Sequence, residues 1–485
     1  MTMRTPTYRL LAIVLLALFS FQSVWATCGG GGGGGTGGMS GGGGGASAPQ
    51  VYPVPWRMRE PKDPPAAGLI LYWLPSSLDE FKKSSMRMSR ILSMYATQCV
   101  SMEVADYGTP LGQKLIGDSK PPVAVLATAD GTPLGKAENK NGMLKVEQAE
   151  KLVDTEMKQR ESALDTQLKE AKEKEKAGDN PAAIKLFSSV VQQKCLFPKK
   201  AKEAAKELKK LGVEVAAISD SPVFDARQSA LIEQTMRSGL RAEMGARYVL
   251  AEKLYSRARQ MDPADPVPLR YLGELYRHHI GDWDKARSTF ETILNMPSDP
   301  LSRAVALHGL GKMTIHDGEF KKGLSLMEQS IAEYPLALTY RNLAVYWNSE
   351  GDPAKGNEYT QKALALDPKD PYNLVFAAVF MAASGHGDEA LKIARANVNL
   401  LPASYNLAAI YAQTGQREKA LALLKRHFFA YERYRAVRTK EMMEARVDAV
   451  FDSLRQDAAF LALTSGADGK LAMPMKNTGT RSGSN

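Results

Sequence analysis

The strongest constraint on this chain is an ordered recurrence between about Met236 and Leu424. A small residue stands at Gly273, Gly311, Ala344, Ala378 and Ala408. A glycine follows each, at Gly281, Gly318, Gly351, Gly385 and Gly415, and five residues later comes another small residue: Ala286, Gly323, Gly356, Ala390 and Ala420. Prolines close the units at Pro263, Pro297, Pro335, Pro368 and Pro402, with spacings of 34, 38, 33 and 34. Each unit reads as two antiparallel helices. The glycine takes the tight turn without a Cβ penalty, the small residues let the helices approach closely, and the proline marks where the second helix stops. Larger apolar residues flank them at helical spacing, such as Leu272, Leu275 and Tyr276, then Phe290 and Ile293, and later Leu343, Tyr346 and Trp347. One unit cannot bury its apolar face alone, so neighbours must stack into a continuous core.

The period and the order of residue types resemble the tetratricopeptide repeat. The resemblance implies five or six stacked helical hairpins over residues 226–430. It also implies an inner face lined mainly by the first helix of each unit. Projected onto this sequence, that face carries Arg270, Glu274, Arg277 and His278, then His308, Lys312 and His316, then Arg341, Val345 and Asn348. Later units turn apolar, at Tyr372, Val375, Val379 and Ala382. Such a groove, basic at one end and apolar at the other, complements a protein or peptide with a carboxylate-bearing end and an apolar stretch.

Export is expected from the first residues. Arg4 and Arg9 precede an apolar run from Leu10 to Phe21, and Val24-Trp25-Ala26 offers a cleavage site, so 1–26 reads as a signal peptide. That run is short for a membrane span, and no later stretch is long and apolar enough. Cys28 follows at the place where bacterial lipoproteins are lipidated. Trp25 departs from the aliphatic residue of that pattern, so a lipid anchor and simple cleavage after Ala26 both stay open. The glycine-rich stretch within 27–50 has no side chains to pack and reads as a disordered tether.

Residues 51–160 have a different grammar. Gly68–Trp73 reads as a strand, Leu78–Thr97 as a helix, Cys99–Ala105 as a strand, Thr109–Ile116 as a helix and Val123–Thr128 as a strand. A turn at Asp130-Gly131 follows, and a helix begins at Val146. The order fits an α/β sandwich. Leu71-Tyr72-Trp73 entering the first helix, Asp106 closing the second strand, and Pro122 before the third resemble a thioredoxin-like domain. The resemblance implies a cis bond before Pro122, beside the site of a Cys-x-x-Cys pair. Here that pair is absent. Ser77 and Glu80 stand near the two cysteine positions, and a serine hydroxyl cannot exchange disulfides, so the site is expected to be redox-dead. Asp79 and Glu80 instead suit a capped helix start after Ser77.

The three cysteines, Cys28, Cys99 and Cys195, form no CxxC and suggest no disulfide framework; Cys99 reads as a small buried residue and Cys195 carries no assigned chemistry. Residues 161–225 read as a helical linker or divergent repeat, 431–463 as capping helices and 464–485 as a disordered tail. The net charge of +10 is modest for 485 residues and does not by itself imply nucleic acid. The mixed basic and aromatic run Lys425–Lys440 is better explained as a helix with a basic solvent face. The histidines show no HExxH spacing, no phosphate-binding loop is present, and no metal or cofactor is expected. The expected fold is therefore multidomain: an α/β thioredoxin-like sandwich followed by an all-α solenoid. The expected function is an exported, non-enzymatic scaffold of the periplasm or cell envelope. The alternative is a thiol-disulfide oxidoreductase, or a thiol-dependent chaperone, working through Cys99 or Cys28 alone.

Overall fold

The computed structural model describes residues 51–58, 66, 68–401, 404–431 and 435–468. The export segment, the glycine tether with Cys28, Pro402 and the tail beyond 468 lie outside the described residues. The chain opens on a four-stranded sheet: β1 (Leu69–Leu74), β2 (Val100–Val104), β3 (Val123–Thr128) and β4 (Pro133–Glu138), in the order β2-β1-β3-β4. β1 runs parallel to β2 and antiparallel to β3, and β3 pairs antiparallel with β4. Three elements predicted from the sequence recur almost residue for residue: β1, β3, and a helix α3 (Pro110–Ile116) capped by Thr109. The single helix expected over Leu78–Thr97 is instead broken into α1 (Leu78–Lys83), a 3₁₀ turn (Ser85–Arg87) and α2 (Arg90–Ala96). Ser84 and Ser89 cause the breaks, because each is extended and turns its hydroxyl onto a following backbone N–H. β4 was not foreseen, since Pro133, Gly135 and Lys136 are poor strand formers.

Helix α4 (Val146–Lys176) leaves the sheet and packs with α5 (Asn180–Gln192) and α6 (Pro198–Lys210). All three share one apolar core with the sheet, including Trp73, Val153, Leu168, Phe187 and Leu208. The linker is thus part of the first folded unit.

Six hairpins follow. They are α7/α8 (Ala226–Met244, Tyr248–Met261), α9/α10 (Val267–Glu274, Trp283–Asn295) and α11/α12 (Pro300–His316, Phe320–Glu333). Then come α13/α14 (Ala337–Ser349, Pro353–Leu366), α15/α16 (Pro371–Ala383, Gly387–Asn397) and α17/α18 (Tyr405–Gln413, Arg417–Arg426). The five turn glycines all adopt positive φ, from 73° at Gly415 to 93° at Gly318. The small-residue positions are close approaches: a Cβ on Gly273 would lie 2.3 Å from the Phe290 ring, and one on Gly311 would lie 2.9 Å from the Gly323 carbonyl oxygen. Helix α19 (Arg435–Val447), a 3₁₀ turn (Ala449–Leu454) and α20 (Ala458–Leu463) cover the last apolar face through Met442, Phe451, Leu454 and Phe460.

The cysteine reading needs correction, because Cys99 and Cys195 form a disulfide with a Cα–Cα distance of 5.8 Å. No spacing rule could have paired residues 96 apart; the fold brings the loop before β2 against the end of α5. The bond staples the helical hairpin to the sheet and leaves Cys99 no free thiol for chemistry. Closing a loop of this length removes about 4 to 5 kcal/mol of unfolded-state entropy. Replacing both cysteines by alanine should therefore lower the thermal midpoint of the oxidised protein by several degrees or more. Added reductant should reproduce the loss in the wild type and leave the double variant unmoved; an equal melting temperature in all three would refute a structural bond.

Candidate functional site: the inner face of the array

Six of the ten charged, polar or aromatic residues projected onto the inner face are enclosed. Arg270, Glu274, Arg277, His278, His308 and Lys312 are all buried, with Glu274 at 0 % and Arg270 and His308 at 1 % exposure. This corrects the open basic wall expected from the sequence. Two pieces of the same chain close the face. At the start of the first helices lies the extended segment Val51–Trp56, every residue of it buried. Tyr52 donates to Asp265 at 2.7 Å, Tyr271 to the Val51 carbonyl at 3.4 Å, and Tyr334 to the Trp56 carbonyl at 3.2 Å. At the other end α19 packs against Leu275–Ile280, where α9 continues as a π-helical turn closed by Gly281.

Enclosure forces the charges to pair or neutralise. Arg277 makes a two-pronged contact with Glu274, at 2.7 Å and 3.3 Å. Burial pulls the Arg277 guanidinium down, and the Glu274 carboxylate more than offsets it. His308 shares its two ring nitrogens with Thr339 (3.1 Å) and Asn342 (3.4 Å). Burial, then the nearby Arg277, Lys312 and Arg341, push it well below the usual histidine range. His278 is depressed by burial and by His279, with which it stacks at 4.8 Å.

Four predicted residues remain accessible: His316, Arg341 and Tyr372 are half-buried and Asn348 is exposed. Arg341 donates to Asn373 at 2.5 Å and lies over the Tyr372 ring at 5.9 Å. In the same hairpin as Arg341, Lys355 sits 3.4 Å above the Trp347 ring. The structure therefore separates the ten residues into an enclosed ionic interior and four accessible residues on the third to fifth hairpins, of which Arg341 and Tyr372 are in contact and His316 lies against Trp283.

Ser77 acts as the N-cap of α1, accepting from the Glu80 N–H at 3.1 Å, and burial raises the Glu80 carboxyl. The Pro121–Pro122 bond is cis and Pro122 is buried at the head of β3.

Glu243 has no signature in the sequence, because it falls in an ordinary charged helix. It is buried, accepts from Tyr255 at 2.7 Å, and stands 3.7 Å from His279 Nε2. Burial first, and then Glu274, raise its pKa from 4.5 to about 8. A raised acid binds a proton in the fold that the unfolded chain has released. Its contribution is complete below the unfolded pKa and is lost as pH rises through the folded one. Between pH ~5 and ~8 the wild type should thus lose stability relative to Glu243→Gln, which carries no ionisable group. Parallel melting curves across that range in the two proteins would contradict a buried neutral Glu243.

Comparison with known proteins bears on the hairpins. Residues 269–304 match the tetratricopeptide repeat family. The protein CTR9 homolog of Arabidopsis thaliana is 25% identical over an alignment covering 36% of this chain and 20% of the relative, so the chain spans about a fifth of that protein. Among solved structures, a thermophilic TPR protein from Thermus thermophilus aligns at 21% identity and a TM-score of 0.32, covering 38% of this chain and 99% of that one. The APC/C hetero-tetramer Cut9–Hcn1 aligns at 15% identity and a TM-score of 0.31, covering 59% and 63%. The matched segment falls on the helical hairpin α9/α10, and the hairpins after it repeat its glycine turns and close-packed small residues, so the tetratricopeptide match bears on this part of the chain.

Proposed function

We propose that this protein is an exported, envelope-associated interaction scaffold, held on its glycine tether with or without a lipid at Cys28. A repeat array with a closed interior and an accessible patch of mixed cationic and aromatic character carries the reading. Arg341 and Tyr372, with Asn348 and His316 accessible on the same run of hairpins, offer a guanidinium beside an aromatic face, which suits a protein or peptide segment joining a carboxylate to an apolar residue. The Cys99–Cys195 disulfide favours an oxidising compartment, in keeping with the export segment.

The first unit reads as a thioredoxin-like domain without redox chemistry. The reading is supported by the strand order, the cis bond at Pro122 and a helix cap at Ser77 where the family has its attacking cysteine. Its role is to contribute surface and to brace the array. The competing enzyme reading loses its best nucleophile, since Cys99 is engaged in a disulfide.

The test is capture of envelope proteins by the immobilised full chain, with Arg341→Gln/Tyr372→Ala as the comparison. The double variant should capture its partner at least several-fold less, with unchanged helicity, and wild-type capture should weaken as salt rises from ~0.05 to ~0.5 M. Undiminished, salt-independent capture by the variant would rule this patch out.

A further inference from the structure

Four buried arginines mark the interior and its junction with the first unit, and they are not treated alike. Arg90 contacts Asp262, Asp265 (3.3 Å), the Val223 carbonyl (2.7 Å) and Ser229 (2.9 Å). Arg277 is paired with Glu274, and Arg438 has the Phe428 carbonyl at 3.4 Å. Arg270 is 1 % exposed, yet no carboxylate lies within ion-pair distance among the described residues. It makes a long hydrogen bond from Nη1 to Ser302 Oγ, at 3.4 Å, and its guanidinium lies over the Tyr271 ring at 5.6 Å, near enough to act on that hydroxyl against the effect of burial. Its Nε and Nη2 are buried with no partner among the described residues.

Nε and Nη2 are the two nitrogens of the side-on edge of a guanidinium. Their N–H bonds run parallel, at the spacing of two oxygens on one carbon or phosphorus. No carboxylate among the described residues pairs with them. The Tyr334 hydroxyl, buried nearby, feels Arg270 together with Arg87 and Asp299. Asp299 is already engaged by the Ser302 hydroxyl at 2.6 Å and the Ser302 N–H at 3.0 Å. A buried two-pronged donor with neither N–H paired suits an anion of two or more oxygens.

We infer that Arg270 holds a small oxyanion, phosphate or a carboxylate, at the junction between Val51–Trp56 and the second and third hairpins. The site is independent of the accessible partner patch. Its occupant is small, because Arg270, Trp56, Tyr271 and Tyr334 are all buried, and Tyr271 and Tyr334 are tied to the Val51 and Trp56 carbonyls. Exchange requires that segment to lift, so the anion acts as a filler that couples the first unit to the array, stabilising whatever state it binds.

The test uses the full chain, unfolded in chloride buffer, refolded without oxyanions, and then incubated with inorganic phosphate or with acetate at matched ionic strength. Titration calorimetry and thermal melting are read in parallel on wild type, Arg270→Gln and Arg270→Lys. The expected result is one saturable site in the wild type, with a melting temperature that rises by several degrees and plateaus by ~20 mM. Both variants should bind at least tenfold more weakly, and Arg270→Gln should melt no lower than the wild type in oxyanion-free buffer, because it removes an unpaired buried charge. A response to phosphate alone assigns a phosphate, and one to acetate alone a carboxylate. No saturable response to either anion, or an equal response in Arg270→Gln, overturns the site and leaves water as its occupant. Should Arg270→Gln fail to fold, Arg270→Lys decides, since it keeps the charge and loses the fork.

Discussion

The Arg90 guanidinium is the contact on which the arrangement of this protein depends. It projects from α2 of the first unit into the turn that joins the first hairpin to the second, where Asp262 and Asp265 receive it. All three side chains are buried to about 1 %. The same carboxylates have second duties. Asp265 accepts from Tyr52 and the Val267 N–H, and Asp262 from the Val223 and Ala264 N–H groups. A buried ion pair of this kind yields little net energy while intact, but losing one partner costs about 3 to 5 kcal/mol, because the other is left charged in the interior. It therefore acts as a specificity device: it tolerates one docking of the sheet on the array and penalises others.

Much else follows from that docking. It lays Val51–Trp56 across the first helices of the repeats, and it lets Arg57 extend the sheet by pairing beside β2, exchanging hydrogen bonds with Met102 and Val104. The sheet's core reaches as far as Leu366 in the fourth hairpin. An array that in isolation would present an open inner face instead has that face filled by its own chain. What is left accessible lies further along, where Arg341 and Tyr372 are half-buried.

The sequence made the hairpins legible because their logic is local. A turn glycine such as Gly351 and a small residue such as Ala344 are fixed by sterics within one unit, and the period of about 34 repeats the message. The first unit was legible in its strands, since Leu69–Leu74 and Val123–Thr128 are continuous apolar runs. β4 was hidden by weak strand formers. The Cys99–Cys195 bond and the pairing of Arg90 with Asp262 were hidden for another reason: they join residues 96 and 172 apart, and nothing in either neighbourhood names the other. The same limit made Arg270 and Arg277 look exposed. Their identity as first-helix residues was readable, but whether that face opens to water depends on a segment more than 200 residues earlier at the Arg270 end and on α19, far later in the chain, at the Arg277 end.

The account's central claim is that the sheet unit and the repeat array form one cooperative body held through Arg90. Differential scanning calorimetry of the oxidised wild type and of Arg90→Leu measures this most directly. The account predicts a single transition for the wild type, splitting into two in the variant as the sheet unit and the array melt separately. Two independent transitions in the wild type, or one unshifted transition in Arg90→Leu, would contradict it.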